Sequence, residues 1–150
     1  MRYLDNRYAA ITAGLESIAW GKYGIVKLNV SADALGNSGF QGKASYMLMQ
    51  NIGKSIVIFP EAGLRYYSNK HNRYFFGVSQ EESLNTGFNQ YSPSASITPY
   101  VGVSAVVSIN KNVKSVLMGH YGILPSKIKD SPIVDKDKEL SFYINLTYEF

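Results

Sequence analysis

The sequence contains no cysteine, which excludes disulfide frameworks, thiolate metal sites and cysteine nucleophiles. No stretch approaches the ~18 consecutive apolar residues of a membrane helix, so a helical span is excluded. Charge is sparse: 17% of residues are charged, against ~25% in an average soluble protein. The net charge of +4 is spread along the chain without a block of like charges, and a nucleic-acid tail is not indicated. Histidine is limited to His71 and His120, far apart and without acidic company, so no metal site is expected. The glycines are scattered and form no phosphate loop, and no cofactor is expected. The opening Met1-Arg2-Tyr3-Leu4-Asp5-Asn6-Arg7 lacks the apolar core of a signal peptide.

What the sequence does have is tyrosine, 12 of them, and alternation with period two, the mark of half-buried strands. Seven such runs lie near 8–20, 23–33, 40–50, 54–67, 95–109, 114–124 and 139–150. Most approach the ~9–11 residues that a tilted strand needs to cross a bilayer. Val26, Leu28 and Val30 share one face of the second run, opposite Lys27 and Asn29. Ile56, Ile58, Ala62 and Leu64 oppose Glu61 and Arg65, and Val101, Val103 and Ala105 oppose Tyr100 and Ser104. A soluble sheet solvates its polar face with long charged side chains. Here that face is mainly Ser, Thr, Asn, Gly and Tyr, with sparse charges at Lys27, Lys43, Glu61 and Arg65. On a lipid face a Lys or Arg near the midplane costs about 2–4 kcal/mol. The pattern predicts an antiparallel transmembrane β-barrel, apolar outside and polar within, with those four charges in the lumen. A soluble lipocalin-like barrel, with the same period inverted, is the alternative.

The connections alternate strictly between short (21–22, 51–53, 110–112) and long (34–39, about 68–94, about 125–138). Outer-membrane barrels do this with periplasmic turns and external loops. Trp20 and Tyr23 mark the short end, and Tyr66, Tyr67, Tyr91 and Tyr100 the long end, as two aromatic belts. Counting back from a periplasmic C-terminus puts Met1 outside. Seven strands are odd, whereas such barrels have an even number, at least eight. The expectation is that 1–150 is the C-terminal portion of a larger barrel whose signal peptide lies upstream. An unseen eighth strand is the alternative. Pro60 and Pro99 fall inside strands and predict a bulge at each.

The chain ends with Ile144, Leu146, Tyr148 and Phe150 at alternate positions, which resembles the signal read by the barrel-assembly machinery. In the long loop, Ser79 with Glu82 three residues on is a capping box, predicting a helix from about Gln80 to Asn85 stopped by Gly87. The stretch Tyr74-Phe75-Phe76-Gly77-Val78-Ser79 with the acidic turn after it, Tyr91, Pro93, Ser131-Pro132-Ile133-Val134, the Phe59-Pro60-Glu61-Ala62-Gly63 strand and the Tyr148-Glu149-Phe150 ending resemble the MipA/OmpV family of Gram-negative outer membranes. The resemblance covers most of the chain. It implies a non-enzymatic scaffold, surrounded by outer-membrane lipid, that bridges a murein-degrading lytic transglycosylase and a murein-synthesising penicillin-binding protein. Such bridging would use the periplasmic turns. A small pore, charge-selective through Lys27, Lys43, Glu61 and Arg65, or a ligand-binding barrel is the alternative. Catalysis has little support: a Ser-His-Asp hydrolase needs an activated serine beside His71 or His120, and neither the spacing nor the company of these histidines supplies one.

Overall fold

The computed structural model describes residues 11–36 and 38–149. The start of the first run and Phe150 lie outside them. Alternating sequence becomes a single antiparallel meander: β1 (Thr12–Gly21), β2 (Gly24–Asp33), β3 (Phe40–Met47), β4 (Gln50–Ile52), β5 (Ile56–Tyr67), β6 (Ser96–Ser108), β7 (Val113–Ile123) and β8 (Lys138–Tyr148). Sequence neighbours pair in the order β1-β2-β3-β5-β6-β7-β8, and β4 pairs only with β5.

β4 is the continuation of β3 and not an eighth rung. Met47 opposes Glu61 and Gln50 opposes Ile58, so the register on β5 is unbroken across the gap. The interruption sits opposite Pro60. Leu48 N–H donates to the Pro60 carbonyl at 3.1 Å, and proline has no N–H to return the bond. The proline therefore splits its neighbour without inserting a residue. Pro99 pairs with Leu64 on the β5 side and lies one residue beyond the β7 ladder, which stops at Tyr100–Gly122. Both expected bulges are absent, because each proline is placed where only one partner strand loses a bond.

The side chains follow the pleat. Leu28 is 52% exposed and Val103 49% exposed on the outer surface, whereas Thr98 and Tyr100 are buried at 0% and 4% on the inner one. Apolar rows thus face outward, and the inward face is polar along its loop-side part, with Ile25, Val57, Val106 and Met118 inward towards the short turns. Curvature encloses that polar face. Arg65 on β5 and Glu139 on β8 are three strand positions apart, about 14 Å along a flat sheet, yet their side chains meet at 2.8 Å. A cavity of about 260 Å³ is lined jointly by Asn29 of β2, Gln41 of β3, Tyr67 of β5 and Tyr143 of β8. The sheet curls around most of a barrel, and among the described residues β1 and β8 are not paired with each other.

Outward aromatics mark both ends of the wall: Tyr46 and Tyr148 towards the short turns, with Tyr23 exposed in the first of them, and Phe40, Tyr66 and Tyr121 towards the long loops. Trp20, expected in the lower belt, pairs with buried Ile25 and so lies on the inner face of the edge strand β1. Amphipathic rings suit a membrane interface. Two residues expected in the upper belt are elsewhere: Tyr67 and Tyr100 alternate with Tyr66 and Val101 and so point inward.

The long connection folds into α1 (Asn69–Phe76) and α2 (Gln80–Thr86). The second helix has the expected box: Ser79 Oγ accepts from Glu82 N–H at 3.2 Å, and the Glu82 carboxylate accepts from Ser79 N–H at 2.8 Å. Gly87 ends it at φ 77°, a left-handed conformation that glycine takes without a Cβ clash. The first helix starts at Ser68, whose Oγ accepts from His71 N–H at 3.3 Å. A short third helix, α3 (Ser126–Lys129), lies in the last long loop. These loops pack on each other: Ser131 Oγ donates to the Phe76 carbonyl at 2.6 Å, and Tyr91 OH to the Lys127 carbonyl at 3.2 Å.

Candidate functional site in the barrel interior

Period-two geometry places Lys43 and Ser45 of β3, Glu61 and Arg65 of β5, Tyr100 of β6, His120 of β7 and Glu139 of β8 on the inner face. Register then decides which of them touch. Glu61, Gly102 and His120 share one rung. Because Gly102 has no side chain, Glu61 reaches over it, and His120 Nε2 lies 3.4 Å from Glu61 Oε2. A Cβ at Gly102 would come within 2.5 Å of the His120 ring. On the adjacent inner rung Ser45, Gly63 and Tyr100 align. There Gly63 makes room for the Tyr100 ring, which a Cβ would approach to 2.7 Å.

Tyr100 is the hub. Its hydroxyl donates to Glu61 Oε1, and Lys43 Nζ lies 3.0 Å from the same oxygen. The ring is flanked by cations, with Lys43 Nζ 5.0 Å and the Arg65 guanidinium carbon 4.5 Å from its centroid. Cation–π attraction adds about 0.5–1 kcal/mol at exposed sites and more where water is excluded. Arg65 completes its own charge balance through Glu139. Lys27 stands apart from this cluster and pairs with Glu16 of β1 at 3.4 Å. Of the four charges expected in the lumen, three therefore join one network and the fourth bridges β1 to β2.

The network brings two carboxylates, Glu61 and Glu139, together with two cations, Lys43 and Arg65, so its charges balance and tie β3, β5 and β8 to one another. Tyr100, His120 and Glu139 were missing from the sequence reading of this cluster. Their inward phase was legible from alternation, but the glycine gaps that let them meet were not.

His120 has a carboxylate on Nε2, and among the described residues Nδ1 has no hydrogen-bond partner, so no serine is set against it. His71 stacks between Tyr67 and Phe75, both at 4.7 Å between centroids. Burial lowers its pKa from the ordinary value, partly offset by a hydrogen bond to the Ser38 backbone. The serine–histidine pairing that acyl transfer requires is not assembled among these residues.

The aromatic loop motif supports the cap. Phe75 rests on His71, Tyr74 meets Phe75 edge-on at 4.9 Å, and Gly77 N–H closes α1 on the Arg73 carbonyl at 3.0 Å. Val78 and Tyr91 exchange backbone bonds of 2.8 and 3.0 Å, and Val78 is buried at 1%. Asn72, fully buried, donates to the Ser94 carbonyl at 2.7 Å and to Ser96 Oγ at 2.9 Å, tying α1 to the start of β6. At the other end of the chain, Ile144, Leu146 and Tyr148 point outward from β8 and are exposed.

A family model described as MltA-interacting protein MipA matches residues 2–150. The chain belongs to the MipA family. Relatives of this MipA-family chain are outer-membrane proteins. It is 31% identical to the putative outer membrane protein YiaT of Escherichia coli K12, over all of this chain and 61% of that protein. It is 30% identical to the MltA-interacting protein of the same strain, over all of this chain and 60% of the relative. Identity to the outer membrane protein OmpV of Vibrio cholerae is 29%, over 98% of this chain and 57% of the relative. The chain thus spans about three-fifths of the length of these proteins. No solved structure matches it. With the outward apolar wall, membership places the protein in the Gram-negative outer membrane as a β-barrel-type chain.

Proposed function

We propose that this protein is a non-enzymatic scaffold that holds a lytic transglycosylase, and with it a penicillin-binding murein synthase, at the periplasmic face of the outer membrane. The observation that carries this reading is the match of residues 2–150 to the MltA-interacting family. The short-turn end is the periplasmic one by the usual asymmetry of outer-membrane barrels. Its turns each offer one exposed lysine, Lys22, Lys54 and Lys111, and no acidic residue. Such a rim favours an acidic partner face and a salt-sensitive encounter.

The same reading treats the chain as the C-terminal portion of its barrel. Six antiparallel pairings run from β1 to β8, so the two edges point the same way. An all-antiparallel closure needs an odd number of further strands between them. The outward Ile144, Leu146 and Tyr148, with Phe150 after them, are the proposed signal for the barrel-assembly machinery, acting by strand addition at the β8 edge.

The test is direct binding of the detergent-solubilised protein to purified MltA and to a penicillin-binding protein. Saturable, salt-weakened binding is expected. It should be lost in the Lys22→Glu/Lys54→Glu/Lys111→Glu variant. Failure to bind either enzyme would overturn the scaffold. Conductance in planar bilayers separates this from the pore reading: the Arg65–Glu139 pair across the interior predicts no discrete channel steps.

A further inference from the structure

The outer wall is not uniform. Gly42 of β3 faces outward on one rung between Val30 of β2 and Tyr66 of β5. On the next outward rung Ala44 lies between Leu28 and Leu64. Small residues on β3 between large ones on its neighbours leave a trough of about 370 Å³ along the strand. A Cβ added at Gly42 would meet nothing closer than 3.7 Å, so the floor has spare room.

Towards the long loops this trough runs into a second cavity of about 350 Å³ that shares Tyr66 and Ile97 with it. The far rim of that cavity is Pro125, Ser126 and Lys127. Lys127 is exposed, and its Nζ donates to the Ala95 carbonyl at 3.3 Å. An ammonium has three donors, so others remain for an acceptor. Among the described residues no acidic side chain lines either cavity. The groove is thus graded from hydrocarbon-like along β3 to cationic at the interfacial Tyr66 level.

We propose that this groove seats one acyl chain of a phosphorylated saccharolipid of the external leaflet, of lipid A chemistry, with its phosphate at Lys127. The apolar trough lies in the lipid-facing band, where an acyl chain is the available solvent. The Lys127 cation at the loop-end rim selects an anionic headgroup over a zwitterionic one.

The experiment is native mass spectrometry of the protein in micelles doped with equal amounts of lipid A and phosphatidylethanolamine. One interfacial lysine is expected to favour the lipid A adduct about fivefold. Lys127→Glu should abolish that preference and leave total lipid retention. Gly42→Leu should fill the trough without strain and remove both adducts, with circular dichroism reporting an unchanged strand signal. Equal adducts of the two lipids in the parent protein would overturn the proposal. So would adducts that survive Gly42→Leu, or a dimer mass abolished by it, which would assign the groove to a second copy of the chain.

Discussion

Replacing Glu61 by alanine removes a carboxylate that is 7% exposed and serves Tyr100, Lys43 and His120 together. The Tyr100 hydroxyl and the Lys43 ammonium then lose their acceptor. Breaking a buried pair by removing one partner costs about 3–5 kcal/mol. The Lys43 side chain is 34% exposed and can turn to water, which places the expected loss at the lower end, about 3 kcal/mol. Glu61→Gln keeps an acceptor for Tyr100 and loses only the charge, so about 1–2 kcal/mol is expected. Lys43→Met in the Glu61→Gln background removes the stranded cation, and the double variant should be less destabilised than the sum of the singles by about 1 kcal/mol. Urea unfolding in lipid vesicles reads this through Trp20, the single tryptophan, on the inner face of the edge strand β1. Stability of Glu61→Ala within about 0.5 kcal/mol of the parent, the range of ordinary surface changes, would refute the network's bracing role.

Three further outcomes follow from the same geometry. Val103→Arg, at the middle of β6 on the lipid side, should destabilise by about 2–4 kcal/mol, whereas Ser104→Arg, on the inner side, should cost much less in the same unfolding assay. Ser79→Ala should loosen α2 by about 1 kcal/mol, measured as faster proteolytic nicking between residues 80 and 87. His71 has its folded pKa held below its ordinary value by burial. The unfolded loop therefore takes up a proton first as pH falls through about 6.5. Cap stability is full above that value and is lost progressively towards the lower folded pKa. Proteolysis of α1 should rise from pH 7.5 to pH 5, and His71→Phe should flatten that rise.

The wall of this protein was legible in its sequence because lipid on one side and a polar interior on the other impose a strict period of two. Leu28, Leu64 and Val103 declare their face by position alone. The capping box at Ser79 and Glu82 was legible for the same reason, since it is a local interaction three residues long. The helix Asn69–Phe76 was not: its Tyr74-Phe75-Phe76 segment favours strands by propensity. It is held as a helix by the Ser68 cap and by buried Asn72 reaching the Ser94 carbonyl and Ser96. The interior network was half legible. Lys43, Glu61 and Arg65 declare an inward face, but their partners come from β6, β7 and β8, and only register and the Gly63 and Gly102 gaps bring them together. The prolines were misleading for a related reason. A proline's cost depends on which neighbour its missing N–H faces, and that is a property of the sheet.

The central claim, that apolar rows meet lipid and polar rows line the interior, has one direct measurement. The absence of cysteine allows single cysteines at Val101, Val103, Ser104, Ala105 and Val106, labelled with an environment-sensitive fluorophore in vesicles containing brominated lipid. Quenching should alternate, strong at 101, 103 and 105 and weak at 104 and 106. Quenching at 104 and 106 with protection at 101, 103 and 105 would contradict the account.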